Sequence, residues 1–128
     1  LRNHIQFFFE DMSYYLKKEK CTTIEDFIYY HLCFFKQNKD FFLTLVKIHK
    51  EHIFFDYIAN ENFYFNFEGD NKNMAVYQAV ALLSIIFRWV TSENNHTEQY
   101  MIKVVMSFVS KDILEMILPV FLKAHAKL

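Results

Sequence analysis

The sequence predicts an all-α bundle of about six helices, and three observations support this class. The 128 residues contain one glycine and one proline, apolar residues recur every three or four positions, and 16 phenylalanines with 8 tyrosines supply bulky core side chains. Phosphate-binding loops, nucleophile elbows and tight hairpin turns need backbone positions that glycine adopts at low cost. We therefore expect helices joined by short polar turns, forming a single domain over 1–128.

The N-terminal half of the chain is predicted to form three helices. The first covers 4–19, and a capping box of Thr22 and Glu25 marks the start of the second, which covers 23–37. The third is predicted over 38–59 as one continuous helix. Its expected inner face comprises Phe41, Phe42, Leu45, Ile48, His49, His52 and Ile53.

The C-terminal half is predicted to contain three more helices after a loop at 60–73. The fourth helix covers 74–91 and the fifth covers 97–109. Ser110 is the expected cap of a sixth helix, which Pro119 would kink or restart because an interior proline breaks the helical hydrogen-bond ladder.

The fourth and fifth predicted helices are apolar on more sides than a surface helix needs. We expect them to cover the core with one face and a second copy of the chain with the other. A symmetric homodimer would then contain a bundle of four helices, two from each chain. The alternative is a monomer with a larger core. The predicted dimer interface comprises Ala79, Leu82, Ile86, Trp89, Met101, Val105 and Phe108.

The charge balance argues against nucleic-acid binding by this chain alone. It has 14 basic and 15 acidic residues without a basic stripe. Cys21 and Cys33 do not make a disulfide framework and fit free thiols in a cytoplasmic protein. The most apolar stretch, 75–90, is too short and too often interrupted by polar residues for a membrane span, so no membrane partner is expected.

One group of polar residues stands at helical spacing within the predicted third helix. His49, His52 and Asp56 would lie on one face, where His31 could join them. They could hold a metal, contact a polar effector, or simply reach solvent near a helix end. No Cys pair or HExxH motif supports a zinc site, and no serine has the surroundings of a nucleophile. We predict no catalytic residue, metal or cofactor.

Two segments resemble the C-terminal domains of the TetR family of bacterial transcriptional regulators. The first is FFKQNKDFF at 34–42, which is similar to the aromatic–Asn–basic–acidic–Phe junction of that family. The second is YQAVALLSIIFRWV at 77–90, a small-residue-rich helix ending in Trp and an aliphatic residue, followed by a polar turn and Thr97-Glu98-Gln99, which stands without the family's usual proline. The resemblance spans about 24–109.

The resemblance implies an all-helical domain that binds a small effector and dimerises through its last two main helices. The family's DNA-binding helix-turn-helix is not among these residues, and we expect this chain to be a piece of a longer protein. A small apolar or aromatic ligand would enter a cavity between the second, third and fourth helices and shift the DNA affinity of that N-terminal domain. The expected ligand-binding residues are Phe27, His31, Phe35, Phe42, His49, His52 and Tyr77.

Two other classes of function remain open from the sequence. The chain could be a stand-alone helical interaction protein whose apolar helices bind a different partner. It could also be a metal-dependent helical enzyme that uses His49 and His52.

Overall fold

The computed structural model describes residues 2–60, 70–93, 96–109, 111–112 and 115. These residues are all-α, as the sequence predicted, and none of them forms a strand. The six helices they contain are α1 (Arg2–Lys18), α2 (Ile24–Gln37), α3 (Lys39–Lys47), α4 (Glu51–Asn60), α5 (Asp70–Thr91) and α6 (Glu98–Phe108).

Some predicted elements extend beyond this part of the chain. The predicted loop at 60–73 is largely outside the described residues, and α5 begins at Asp70 rather than at Met74. Within the predicted sixth helix, Lys111, Asp112 and Glu115 are helical. Ser110 and Pro119 lie outside the described residues.

The prediction of one helix over 38–59 is wrong, because the chain turns at Ile48–Lys50. His49 has a φ of 58°, in the left-handed region. The His49 amide donates to the Val46 carbonyl at 3.1 Å, and the Lys50 amide donates to the Leu45 carbonyl at 2.9 Å. These two bonds form a Schellman motif, which ends α3 and satisfies its last carbonyls. The predicted third helix is therefore two helices, α3 and α4.

The break is needed because the apolar residues change phase along this segment. Leu45 of α3 and Phe54 of α4 are both buried in the same core. At about 100° per residue, nine residues of unbroken helix would put them about 180° apart, on opposite sides. The turn at His49 redirects the chain so that both side chains point inward.

The first helix ends in the same way without a glycine. Lys20 has a φ of 55°, its amide donates to the Lys17 carbonyl, and the Cys21 amide donates to the Leu16 carbonyl at 3.3 Å. Cys21 is buried, which supplies the hydrophobic contact typical of this motif. The left-handed position, usually taken by glycine, is occupied here by lysine, and in α3 by histidine.

Threonine side chains cap two of the other helices at their N-termini. The Thr23 hydroxyl accepts from the Asp26 amide at 3.0 Å, and the Thr97 hydroxyl accepts from the Tyr100 amide at 3.1 Å. Asn38 lies at the N-cap position of α3 without a side-chain capping bond. Its Nδ2 instead donates to the Phe34 carbonyl at 2.8 Å, so this side chain closes the end of α2.

Helices α2 and α5 are central in the fold. Helix α2 packs against α1, α5 and α6, while α5 packs against α2, α3, α4 and α6. The apolar residues around α5 are thus covered by four helices of the same chain. Because intramolecular packing explains this all-round apolar character, a second copy is not needed to account for it.

A cluster of six phenylalanine rings joins five of the helices at the centre of the core. The rings of Phe35 and Phe42 stack at 4.5 Å with an interplanar angle of 4°, and the Phe42 ring meets those of Phe54 and Phe87 at 5.4 Å. Ring pairs in such arrangements add about 1 kcal/mol each beyond their buried area. We call this the ring cluster; it comprises Phe8 and Phe9 of α1, Phe35 of α2, Phe42 of α3, Phe54 of α4 and Phe87 of α5.

Replacing the ring at the centre of this cluster should be strongly destabilising. We expect Phe42→Ala to lower the free energy of unfolding by about 4 kcal/mol, because it leaves a cavity bordered by four other rings of the cluster and by Phe41. Phe7 is 57% exposed on α1, so Phe7→Ala should cost less than about 0.5 kcal/mol. Urea unfolding followed by circular dichroism measures both, and equal losses would contradict the central place of Phe42.

The turn at His49 predicts opposite effects of glycine at two histidines. His49→Gly should leave the free energy of unfolding unchanged or raise it by up to about 1 kcal/mol, because glycine adopts positive φ without strain. His52→Gly lies in the first turn of α4 and should lower that free energy by roughly 0.5 kcal/mol, because glycine favours a helix less than histidine does. If both variants lose stability equally in urea titrations, the segment is a continuous helix and the turn is wrong.

Candidate functional site

A groove with a volume of about 520 Å³ lies between α5 and α6. It is open along one side and its lining is mainly apolar. We call it the α5–α6 groove. Its lining residues are Ser84, Ile85, Arg88 and Trp89 of α5, Ser92 and His96 between the helices, and Tyr100, Met101 and Val104 of α6.

The spacing of these residues follows from helical geometry. Ser84 and Arg88 are four residues apart on α5, as are Tyr100 and Val104 on α6, so each pair lies on one side of its helix. Helices α5 and α6 contact each other, and residues of both line the groove. The groove therefore runs along the seam between consecutive helices.

Two contacts fix the aromatic walls of the groove near His96. Trp89 Nε1 donates to the His96 carbonyl at 2.8 Å, which ties the indole to that residue. The His96 and Tyr100 rings stack at 4.3 Å with an interplanar angle of 26°. These contacts hold three aromatic side chains in place before any ligand arrives.

The charge of the groove comes from one residue. Arg88 is the only lysine or arginine among the described lining residues, and none of these residues is acidic. Glu98, at the start of α6, is engaged elsewhere, since Lys36 Nζ of α2 contacts its Oε1 at 3.1 Å. A hydrogen bond from its own backbone amide, together with Lys36, lowers the pKa of Glu98. The groove is therefore apolar with a positive group on its rim.

The surface around the groove exposes large aromatic side chains. Tyr77 is 69% exposed, Tyr100 is 50% exposed and Phe108 is 73% exposed. Ile85 and Val104 lie between them and are half-buried. We call this surface the outer face; it comprises Tyr77, Ala81, Ser84, Ile85 and Arg88 of α5 and Tyr100, Val104 and Phe108 of α6.

The predicted dimer-interface residues lie mostly inside the protomer. Phe108 alone is exposed, and the other six are buried in the core. The reason is that α5 and α6 turn their most apolar sides toward α2 and the rest of the bundle, and present their mixed sides outward. The buried residues are Ala79, Leu82, Ile86, Trp89, Met101 and Val105.

The residues expected to bind an effector are not brought together. Phe27, His31, Phe35 and Phe42 are fully buried, and the rings of Phe35 and Phe42 occupy the space in which a cavity was expected. By contrast, Tyr77 is exposed on α5, His49 is exposed in the turn after α3, and His52 is exposed on α4. A role of these seven residues in effector binding stays a prediction.

The polar group of His49, His52 and Asp56 does not share one helix. His49 belongs to the turn before α4, and all three residues are exposed. Within the described part of the chain, no three His, Cys, Asp or Glu side chains are arranged to hold a metal ion. Exposure of all three residues agrees with the solvent-facing alternative.

His31 is a structural histidine of the core. Its Nδ1–H donates to the Phe27 carbonyl at 2.7 Å, and its ring packs edge-on against that of Phe27 at 4.3 Å. Burial lowers the pKa of His31 to about 4, because the charged imidazolium would lose its hydration. The side chain is therefore neutral near pH 7.

Neither cysteine has the environment of a nucleophile. Burial raises the pKa of the Cys21 thiol to about 12 and also raises that of Cys33, which shares a hydrogen bond with Tyr29. At neutral pH both remain thiols, and the thiol form is a weak nucleophile.

Comparisons with known proteins do not add a relationship. No family model, curated protein sequence or solved structure matches the chain. Among the described helices, none is both long and apolar enough to cross a membrane.

Sequence reasoning missed the groove because its residues are chemically mixed. Ser84 and Arg88 interrupt the apolar pattern of α5. The prediction of functional residues followed the apolar pattern and therefore selected the buried side of the helix. The missed signal was the spacing of Tyr77, Ser84 and Arg88, which lie within about 40° of one another on a helix. A polar and aromatic stripe on an otherwise apolar helix indicates its solvent-facing side.

The buried neutral His31 predicts a specific loss of stability in mild acid. Its pKa is lower in the folded chain than the ordinary value of 6.5, so the unfolded chain binds the proton more readily. Stability from this group is present above pH 6.5 and declines as the pH falls toward 4. We expect wild type to lose about 2 kcal/mol more than His31→Leu between pH 7 and pH 5.

Urea titrations at the two pH values measure this difference. His52 is exposed, so His52→Leu is the matched control and should keep the pH dependence of the wild type. If His31→Leu keeps the wild-type dependence as well, His31 is not the titrating group.

Proposed function

We propose that this chain is the effector-binding and dimerisation domain of a TetR-type transcriptional repressor. The observation that carries the proposal is the outer face of α5 and α6, which leaves three large aromatic side chains exposed on one protomer. DNA would be bound by an N-terminal domain outside this sequence. The segments at 34–42 and 77–90 that resemble the family support the assignment.

The geometry of the outer face suits pairing with a second copy. Tyr77, Ser84 and Arg88 follow one line along α5, and Val104 and Phe108 follow one line along α6. Two helices that present adjoining stripes can meet the same pair of a second chain across a two-fold axis. The interface would then centre on Tyr77 and Phe108, at the end of the outer face away from His96, and would keep Phe108 of the predicted residues but not the six that are buried.

Helix α5 offers a physical route from an effector to the DNA-binding domain. It contacts four other helices, and one of its sides forms the groove. A ligand that binds one arrangement of α5 and α6 more tightly would favour that arrangement in both copies of the dimer. The spacing of the two DNA-binding domains would change with it, and with it the affinity for an operator.

The same exposed face also favours a second candidate, a stand-alone helical interaction module. In that case a different protein would cover Tyr77, Tyr100 and Phe108. The two proposals differ in what the purified chain does by itself.

Self-association provides the test. We expect light scattering after size exclusion to give twice the 15.6 kDa mass of one chain. Phe108→Glu should raise the dissociation constant by roughly 100-fold, because a carboxylate would be buried without a partner at the interface. Phe7→Glu is the matched control, since Phe7 is also exposed but lies on α1, and it should remain dimeric.

Each contrary result has a definite meaning. A wild-type chain that is monomeric at high concentration contradicts the dimer, and aggregation of that monomer in the absence of a partner favours the interaction module. A dimer that Phe108→Glu leaves intact contradicts the outer face as its interface.

A further inference from the structure

We propose that the α5–α6 groove binds a small amphipathic anion, a flat apolar molecule that carries one carboxylate or a comparable acidic group. The inference rests on the proposed function in one respect, namely that this ligand would be the effector of the regulator. It gives the effector a site and a chemical class that differ from those expected from sequence, where an internal cavity for an apolar molecule was predicted.

The size of the groove suits a small ligand. Its volume of about 520 Å³ falls within the range of roughly 300–1,000 Å³ that is typical of small-molecule sites. The alternative location, between α2, α3 and α5, is filled by the stacked rings of Phe35 and Phe42. A ligand there would have to displace core rings, whereas the groove is already open.

The walls of the groove suit a flat apolar body. Trp89 is tied to the His96 carbonyl, and the Tyr100 ring is held by its stack on His96. Ile85, Met101 and Val104 supply the rest of the apolar surface. Because these side chains are held in place, a ligand would lose little free energy in ordering them.

The charge of the groove selects the polar group of the ligand. Arg88 projects from the same stripe of α5 as Ser84, and the described lining contains no acidic residue. Glu98, the nearest acid in the sequence of α6, is engaged by Lys36. A guanidinium with hydroxyl groups beside it matches a carboxylate, to which it can donate two parallel hydrogen bonds.

The groove is separate along the helices from the aromatic end of the outer face. The lining residue of α5 nearest to Tyr77 is Ser84, about 10 Å away along the helix axis, and the lining residue of α6 nearest to Phe108 is Val104, about 6 Å away. A ligand at the His96 end therefore leaves Tyr77 and Phe108 available to a second copy. The two sites share the same pair of helices, which allows one to influence the other.

A pair of fluorescent probes tests both parts of the inference. 8-Anilinonaphthalene-1-sulfonate is an aromatic anion, and N-phenyl-1-naphthylamine has the same rings without the charge. We expect the anionic probe to bind the wild-type chain at one site per protomer and more tightly than the neutral probe. Fluorescence titration gives both dissociation constants, and the number of sites is obtained at saturating protein.

Two variants with matched controls locate the site. Arg88→Gln should raise the dissociation constant of the anionic probe about fivefold, which is the upper end of the range for an exposed ion pair. It should leave the dissociation constant of the neutral probe unchanged. Lys103→Gln removes an exposed charge of α6 outside the groove and should change neither. Ser84→Trp should fill the groove and weaken both probes at least about tenfold, whereas Ser107→Trp on the exposed side of α6 should not.

Several results would overturn the assignment. One is equal affinity of the wild-type chain for the two probes. Another is an affinity for the anionic probe that Arg88→Gln leaves unchanged. A third is several weak probe sites per protomer that Ser84→Trp does not affect. If Ser84→Trp fails to fold, the two-probe comparison for Arg88→Gln still decides, because Arg88 is exposed and not part of the core. Light scattering measures dimerisation independently, so loss of probe binding and loss of the dimer can be told apart.

Discussion

Close packing of six phenylalanine rings is the constraint on which the rest of this structure depends. The rings come from α1 to α5, and each of these helices must direct at least one of them to the same small volume. This requirement explains the turn at His49. Phe42 and Leu45 on one side of the turn, and Phe54 on the other, can reach the core together only if the helix is interrupted between them.

Filling the centre with rings also moves the candidate binding surfaces outward. The volume between α2, α3 and α5 is occupied by side chains in contact, and protein interiors of this density leave little room for a ligand. The α5–α6 groove lies instead at the seam of two consecutive helices. Core packing and the location of the groove are thus linked through α5, which contributes to both.

The scarcity of glycine has a second structural consequence. Helices α1 and α3 end with Schellman motifs whose left-handed positions hold Lys20 and His49. A residue with a Cβ is strained there by roughly 1 kcal/mol, and tertiary packing must offset that strain. At the end of α1, the burial of Cys21 helps to offset the strain at Lys20. At the end of α3, the burial of Phe54 helps to offset the strain at His49. Helix ends of this kind carry no obvious mark in the sequence.

The sequence by itself determined the all-α class and the bounds of α1, α2, α5 and α6 to within a few residues, because helical period is a local property. It did not reveal the break after Lys47, because the backbone there follows the direction of distant rings and not the preference of Ile48, His49 or Lys50. Nor did it identify which side of α5 faces solvent. Apolar residues surround that helix except along the stripe of Tyr77, Ser84 and Arg88, and it is the packing of α2, α3, α4 and α6 around the helix that leaves this stripe outside.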